Sequence, residues 1–201
     1  MSGRRFQGVA GRYPLPRQRT LAVAAVVLAS CLSILSLFLA LGCAHPEPVP
    51  AAPHDRLWPG VTYSADLDRD GSSELILVDK PGGSVTITDG DVVYHSRPKW
   101  HVAAASLGDT DRDGLPEVVT LLDDEEGRHI GLFAYFGGEY RERLVTSELS
   151  PRITDFRVVD AEDAMGTGDD LLVDMEPPAG QSAPARALFR WNGFSFTIVP
   201  K

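Results

Sequence analysis

Short apolar runs, separated by Gly, Pro, Asp or Ser, make up the chain from Val61 onwards. In residues 85–88 apolar and polar residues alternate, which is typical of a strand with one buried face. Asp89-Gly90 then supplies the turn chemistry of a tight β-hairpin. No window in this part of the chain has a helical period. The pattern therefore predicts an all-β domain.

The runs fall into three groups of four predicted strands. These strands cover residues 61–65, 75–78, 85–88, 92–95, 100–107, 117–122, 130–136, 140–145, 153–159, 170–175, 186–191 and 194–199. An acidic residue opens the second strand of each group, and the three acids Glu74, Glu117 and Asp170 are 43 and 53 residues apart. A four-stranded unit repeated at this interval is typical of β-propeller blades.

We therefore predict three four-stranded antiparallel blades, at about residues 57–97, 98–149 and 150–201. Closed propellers usually have about four to eight blades. Three blades predict an incomplete β-propeller, which is either an open array or one half of a ring completed by a second copy of the chain.

The N-terminal 43 residues predict export and membrane attachment. Residues 1–19 carry five arginines and no acidic residue, and residues 20–42 carry no charge. A basic segment followed by an apolar one is typical of a signal peptide or an uncleaved membrane-anchor helix. The positive end is expected to remain in the cytoplasm.

The apolar segment ends at Cys43, in a stretch that resembles a bacterial lipoprotein signal. Lipidation of Cys43 is one interpretation, and an uncleaved anchor, processing at Cys31 or ordinary cleavage are the others. Each of them places the folded domain outside the cytoplasm, at the bacterial cell envelope. Residues 44–59 contain five prolines and predict an extended linker, so that the folded domain begins near residues 57–62.

Charge and cysteine content limit what the exported part binds. Residues 44–201 contain 14 basic and 28 acidic residues, a net charge of −14, and no cysteine. Such a surface repels nucleic acid and attracts cations. Without disulfides, packing or bound ions must stabilise the domain.

Two acidic loops, Asp66–Glu74 and Asp109–Glu117, carry carboxylates at the same positions. Ligands that are all oxygen, in a loop with a glycine at its sharp turn, favour Ca²⁺ over Zn²⁺ or Cu²⁺. We predict two structural calcium sites, because clustered carboxylates repel one another unless a cation neutralises them. The predicted ligands are the side chains of Asp66, Asp68, Asp70 and Glu74 with the Ser72 carbonyl, and the side chains of Asp109, Asp111, Asp113 and Glu117 with the Leu115 carbonyl.

These loops are not EF-hands. An EF-hand needs an acidic residue at loop position twelve and a helix on each side. Position twelve is Leu77 in the first loop and Thr120 in the second, and both lie in predicted strands.

A strand, a D-x-D-x-D-G-x-x-E loop and a second apolar strand, repeated at blade spacing, resemble the FG-GAP or VCBS repeats of the integrin α-subunit β-propeller. The likeness is carried by residues 64–78 and 105–119. The resemblance implies a β-hairpin loop that binds calcium, in a module used mostly for adhesion and protein interaction.

The third copy, Asp160–Asp170, departs from the pattern. The positions that match Asp111 and Asp113 hold Ala164 and Gly166. An insertion could still bring Asp160, Glu162 and Asp170 together, but we do not expect a third calcium ion here.

The sequence favours binding or scaffolding over catalysis. It has no G-x-S-x-G motif and no P-loop, and its five histidines lack metal-ligand spacing. The expected partner is an unknown envelope protein or glycan, and aromatic residues flank two predicted hairpins, at 136–140 and 191–194. The alternatives are an accessory or degenerate subunit of an enzyme that acts on envelope polysaccharide, and a self-assembling structural protein.

Overall fold

The computed structural model describes residues 46–161, 168–177, 180–181 and 185–200. The described residues form an all-β domain without helices, in agreement with the sequence pattern. Within these residues there is accordingly no helix of the length and apolar character needed to cross a membrane. The predicted signal segment and Cys43 lie outside the described residues.

Within the described residues, thirteen strands form three open sheets. Sheet 1 contains β1 (Val49–Pro50), β2 (Thr62–Ala65), β3 (Glu74–Val78), β4 (Val85–Asp89) and β5 (Val92–His95). Sheet 2 contains β6 (His101–Gly108), β7 (Glu117–Asp123), β8 (Arg128–Tyr135) and β9 (Tyr140–Val145). Sheet 3 contains β10 (Ile153–Asp160), β11 (Asp169–Met175), β12 (Ala185–Trp191) and β13 (Phe196–Ile198).

All twelve predicted strands are present, each close to its predicted position, and each group of four pairs antiparallel in chain order. The first hairpin of sheet 1 and the first hairpin of sheet 2 have the same register next to their acidic loops. Ala65 pairs with Glu74, and Gly108 pairs with Glu117. The two acidic loops therefore leave their sheets at the same corner.

The sheets stack through their faces, and the middle sheet has both faces buried. Val118 and Phe133 of sheet 2 belong to a core shared with sheet 1, whereas Val119 and Leu132 belong to a second core shared with sheet 3. Strand β7 is consequently apolar along most of its length, without the polar alternation of a surface strand. Burying these side chains is the main source of stability for a domain that has no disulfides.

Residues 49–57 belong to the fold, although the sequence assigns them to the linker. Strand β1 pairs in parallel with β2, and Arg56 forms a bridge with Ser106 of β6. The Arg56 guanidinium also donates to the Phe156 carbonyl of β10 at 3.0 Å, and Leu57 is buried. One segment thus contacts the first strand of every sheet, where uncovered N–H and C=O groups would otherwise face solvent.

Candidate metal centres in the acidic loops

The two acidic loops have the same internal hydrogen bonds. In the first loop, the Asp70 amide donates to Asp68 Oδ1 at 3.0 Å and the Gly71 amide donates to Asp66 Oδ2 at 3.2 Å. In the second loop, the Asp113 amide donates to Asp111 Oδ1 at 3.1 Å and the Gly114 amide donates to Asp109 Oδ1 at 3.2 Å. The residue after each first aspartate, Leu67 or Thr110, donates its amide to the closing glutamate.

Backbone conformation repeats as well. Arg69 and Arg112 have φ angles of 61° and 63°, and Gly71 and Gly114 have φ angles of 90° and 89°. A positive φ is rare for arginine and ordinary for glycine. The shared winding turns successive aspartates towards one centre, as the spacing of the carboxylates predicts.

In the first loop, carboxylate oxygens form two overlapping groups, each within 4.8 Å. Asp66, Asp68 and Asp70 form one group, and Asp68, Glu74 and Asp89 form the other. Asp89 is a member of this group that the sequence analysis did not identify. It lies at the end of β4, one position beyond the Leu75–Thr88 pair, and is therefore cross-strand from Glu74.

Asp66 Oδ1 is buried without a hydrogen-bond partner, and Glu74 is 0 % exposed. Burial raises the pKa of Glu74, although the Leu67 amide and the Tyr140 hydroxyl oppose the shift. An unpaired buried carboxylate oxygen is unfavourable unless a proton or a cation neutralises it. The loop can therefore hold a metal ion.

In the second loop, Asp109, Asp111, Asp113 and Glu117 each offer an oxygen within a single group of 4.8 Å. Burial raises the pKa of Glu117 well above its usual range, and the neighbouring Asp111 raises it further. Both side chains are nearly inaccessible. Four converging carboxylates carry more negative charge than the one guanidinium beside them offsets, so this loop also can hold a metal ion.

Arg143 of β9 distinguishes the second loop from the first. Its Nε lies 2.6 Å from Asp111 Oδ2, and its Nη1 lies 3.4 Å from Asp113 Oδ2. The guanidinium offsets part of the negative charge that would attract a metal ion. We expect the second loop to bind a cation less tightly than the first.

In the third copy, arginines pair with the acidic residue that opens the second strand. Asp170, cross-paired with Val159, has a side chain that is 1 % exposed. The Arg190 guanidinium lies 2.5 Å from Asp170 Oδ2, and Arg112 lies 3.3 Å from Asp170 Oδ1. Arg190 is opposite Asp170 as Asp89 is opposite Glu74. A fixed cation therefore occupies the position where the first sheet contributes a further carboxylate.

The two predicted carbonyl ligands remain predictions. Ser72 is exposed and Leu115 is half-buried, and their amides donate to Asp70 Oδ1 and Asp113 Oδ1 at 2.6 and 2.9 Å. Glu162, an acidic residue considered as a ligand in the third copy, lies outside the described residues. Asp160 and Asp170 do not form a common group in the described part of this loop.

An aromatic surface adjoins the second loop through Arg143. We call it the aromatic face; it forms a cavity of about 450 Å³ lined by Phe136, Arg141, Glu142, Arg143, Trp191, Gly193 and Phe194. Phe136 and Phe194 are 45 % and 76 % exposed. Trp191 instead packs on Phe196 as a cross-strand pair. The aromatic hairpins therefore contain both packed and exposed aromatic side chains.

Comparison of the chain with protein families, with curated proteins and with solved structures gives no match.

Proposed function

We propose that this chain is an exported, membrane-tethered calcium-binding protein, built of three FG-GAP-like propeller blades, that acts as a binding or scaffolding module at the bacterial cell envelope. The observation that carries the proposal is the pair of matching acidic loops, each of which gathers carboxylate oxygens, some of them buried, within 4.8 Å of one another. A solvated turn would leave those oxygens in water.

Calcium fits these loops better than other ions do. Every predicted ligand is an oxygen, and histidine and cysteine are absent from both loops. Hard oxygen ligands suit Ca²⁺ and Mg²⁺, and a flexible loop with five or more oxygens suits Ca²⁺ better than the strict octahedron of Mg²⁺. The ions hold each loop closed, and their role is structural.

Stacking of four-stranded meanders supports the assignment of propeller blades. Sheet 2 is covered on both faces by its neighbours, as a blade inside a propeller is. Residues 49–57 pair with β2 and bridge to β6, and Arg56 donates to one carbonyl of β10, so part of these edges is protected from within the chain. In a larger propeller, further blades would stack on the faces of sheets 1 and 3 that do not pack against sheet 2.

The tether follows from the sequence of residues 1–43, with Cys43 as the predicted lipidation site. Since β1 begins at Val49, few residues separate Cys43 from the domain. A short tether holds the domain close to the membrane surface.

We assign partner binding to the aromatic face. Large exposed aromatic side chains next to arginines are typical of contact surfaces. The guanidinium groups of Arg141 and Arg143 lie 4.6 and 4.3 Å from the centre of the Phe136 ring. Both arginines are paired with carboxylates, so the exposed rings of Phe136 and Phe194 are the groups that would contact an envelope glycan or a protein surface.

The proposal is tested by capture from envelope extract on immobilised residues 46–201. We expect a retained glycan or protein in calcium that is lost in chelator and lost with the double variant Phe136→Ser, Phe194→Ser. Trp58→Ser is the matched control, because Trp58 is 62 % exposed and is not part of the aromatic face. Identical retention by wild type and the double variant would remove the aromatic face from the proposal.

A further inference from the structure

A histidine from the N-terminal segment meets two aspartates of sheet 3. His54 Nε2 lies 2.8 Å from Asp169 Oδ1 and 3.8 Å from Asp160 Oδ1. Asp160 ends β10 and Asp169 begins β11, so the two carboxylates lie opposite each other across a β-pair. The three candidate ligand atoms all lie within 4.8 Å of one another.

These distances suit a small four-coordinate ion. Two ligand atoms bound to Zn²⁺ at about 2.0–2.1 Å in tetrahedral geometry are about 3.3 Å apart. The distances of 2.8 and 3.8 Å from His54 Nε2 lie on either side of this value. An imidazole nitrogen also selects ions of the zinc class over calcium, which prefers oxygen ligands.

Hydrogen bonds beyond these three residues hold Asp169 in place. Its side chain is 8 % exposed; Asp169 Oδ2 accepts the Asp109 amide at 2.7 Å, and the Asp169 amide donates to the Asp109 carbonyl at 2.9 Å. Such outer contacts orient metal ligands and are a regular part of metal sites.

The position of His54 is also fixed by the backbone. Its amide donates to the Leu107 carbonyl at 2.8 Å, and its φ angle is 72°. A left-handed conformation is uncommon for a residue other than glycine. In this conformation the His54 ring lies beside sheet 3. The imidazole is thereby held where the two carboxylates meet.

A cavity of about 660 Å³ opens in front of these residues. Asp66 and Asp109 line it too, and Arg69 is the only arginine or lysine among the described residues of its lining. An anionic cavity concentrates cations. It also leaves room for water or another ligand at the fourth position of a metal ion.

We propose that His54, Asp160 and Asp169 form a binding site for one divalent transition ion of the zinc class. The site adjoins the second acidic loop through the bonds between Asp169 and Asp109, and differs from both loops in its ligand chemistry because it includes an imidazole nitrogen. The bound ion joins residues 49–57, which continue the membrane tether, to sheet 3. One coordination position faces the cavity.

The test is a Co²⁺ and Zn²⁺ titration of the full chain in detergent, saturated with calcium. We expect the visible absorption bands of a four-coordinate Co²⁺ site that includes an imidazole nitrogen, reversed by one equivalent of Zn²⁺. His54→Gln should weaken Zn²⁺ binding at least tenfold. His95→Gln should not, because His95 is exposed and bonds to Thr86 on another sheet.

Two further measurements distinguish loss of the site from loss of the fold. The number of bound calcium ions in His54→Gln should equal that of wild type. Asp160→Asn, at a side chain that is 91 % exposed, should weaken Zn²⁺ binding without altering the fold. The proposal is overturned if calcium-saturated wild type takes up no Zn²⁺, or if His54→Gln and wild type bind Zn²⁺ equally; His54 and Asp169 would then form an ion pair only.

Discussion

Removing calcium from residues 46–201 should lower the melting temperature by about 10–20 °C. A ligand at a hundredfold excess over its dissociation constant stabilises the folded state by about 2.7 kcal/mol per site. Two sites then give about 5.4 kcal/mol, and each kcal/mol shifts the melting temperature of a domain of this size by about 2–4 °C. Asp68→Ala combined with Asp111→Ala should remove the difference between calcium and chelator.

The matched control for this experiment is Glu125→Ala combined with Glu126→Ala. It removes the same number of carboxylates from an exposed turn that belongs to none of the metal-ligand groups of the described residues. This variant should keep the full calcium-dependent shift. If wild type melts at one temperature with and without chelator, the loops are not calcium sites.

Replacing Arg190 should destabilise the domain whether or not calcium is present. Arg190→Met leaves the buried Asp170 carboxylate with Arg112 alone. Breaking a buried ion pair costs about 3–5 kcal/mol, and the remaining arginine places the expected loss near the lower value. The melting temperature should fall by about 6–12 °C in both calcium and chelator.

Arg186→Met is the control on the same strand. Arg186 pairs with Asp174 as Arg190 pairs with Asp170, but the Arg186 side chain is 52 % exposed. An exposed pair contributes about 0–1 kcal/mol, so a shift of no more than a few degrees is expected. Asp170→Asn should restore much of the stability that Arg190→Met removes. Equal shifts for the two arginine variants would show that Asp170 does not depend on Arg190.

Periodicity in the sequence was sufficient to predict the strands. Thr86 and Thr88 alternate with Val85 and Ile87, and in the structure the two apolar side chains face the core. The all-β class and the three sheets follow from such local signals, because alternation and turn residues act within a few positions of the chain.

Residues 49–57 join the fold by edge pairing, a tertiary effect that the linker prediction did not include. Proline-rich composition correctly indicates an extended segment, but an extended chain is also what the uncovered edge of a sheet can bind. Neither the β1–β2 pair nor the bridge between Arg56 and Ser106 has a local sequence signal. Only the arrangement of the three sheets creates a place for residues 49–57.

The sequence was sufficient to predict that the aspartates within each acidic loop converge, but it did not identify the residues from other strands that contact them. The spacing of Asp66, Asp68 and Asp70 determines which side chains converge, and the structure brings them together. Asp89 and Arg190 reach the corresponding loops across a strand pair, so their distance along the chain conceals them. The antiparallel register of the third strand would have identified both residues.

The number of calcium ions bound by the chain tests the central claim most directly. Native mass spectrometry of residues 46–201 in calcium should show two ions, with the tighter one lost in Asp68→Ala and the weaker one lost in Asp111→Ala. Two ions are expected because Asp170 of the third copy already pairs with the guanidinium of Arg190. A mass without calcium, or a count that both variants leave unchanged, would contradict the account.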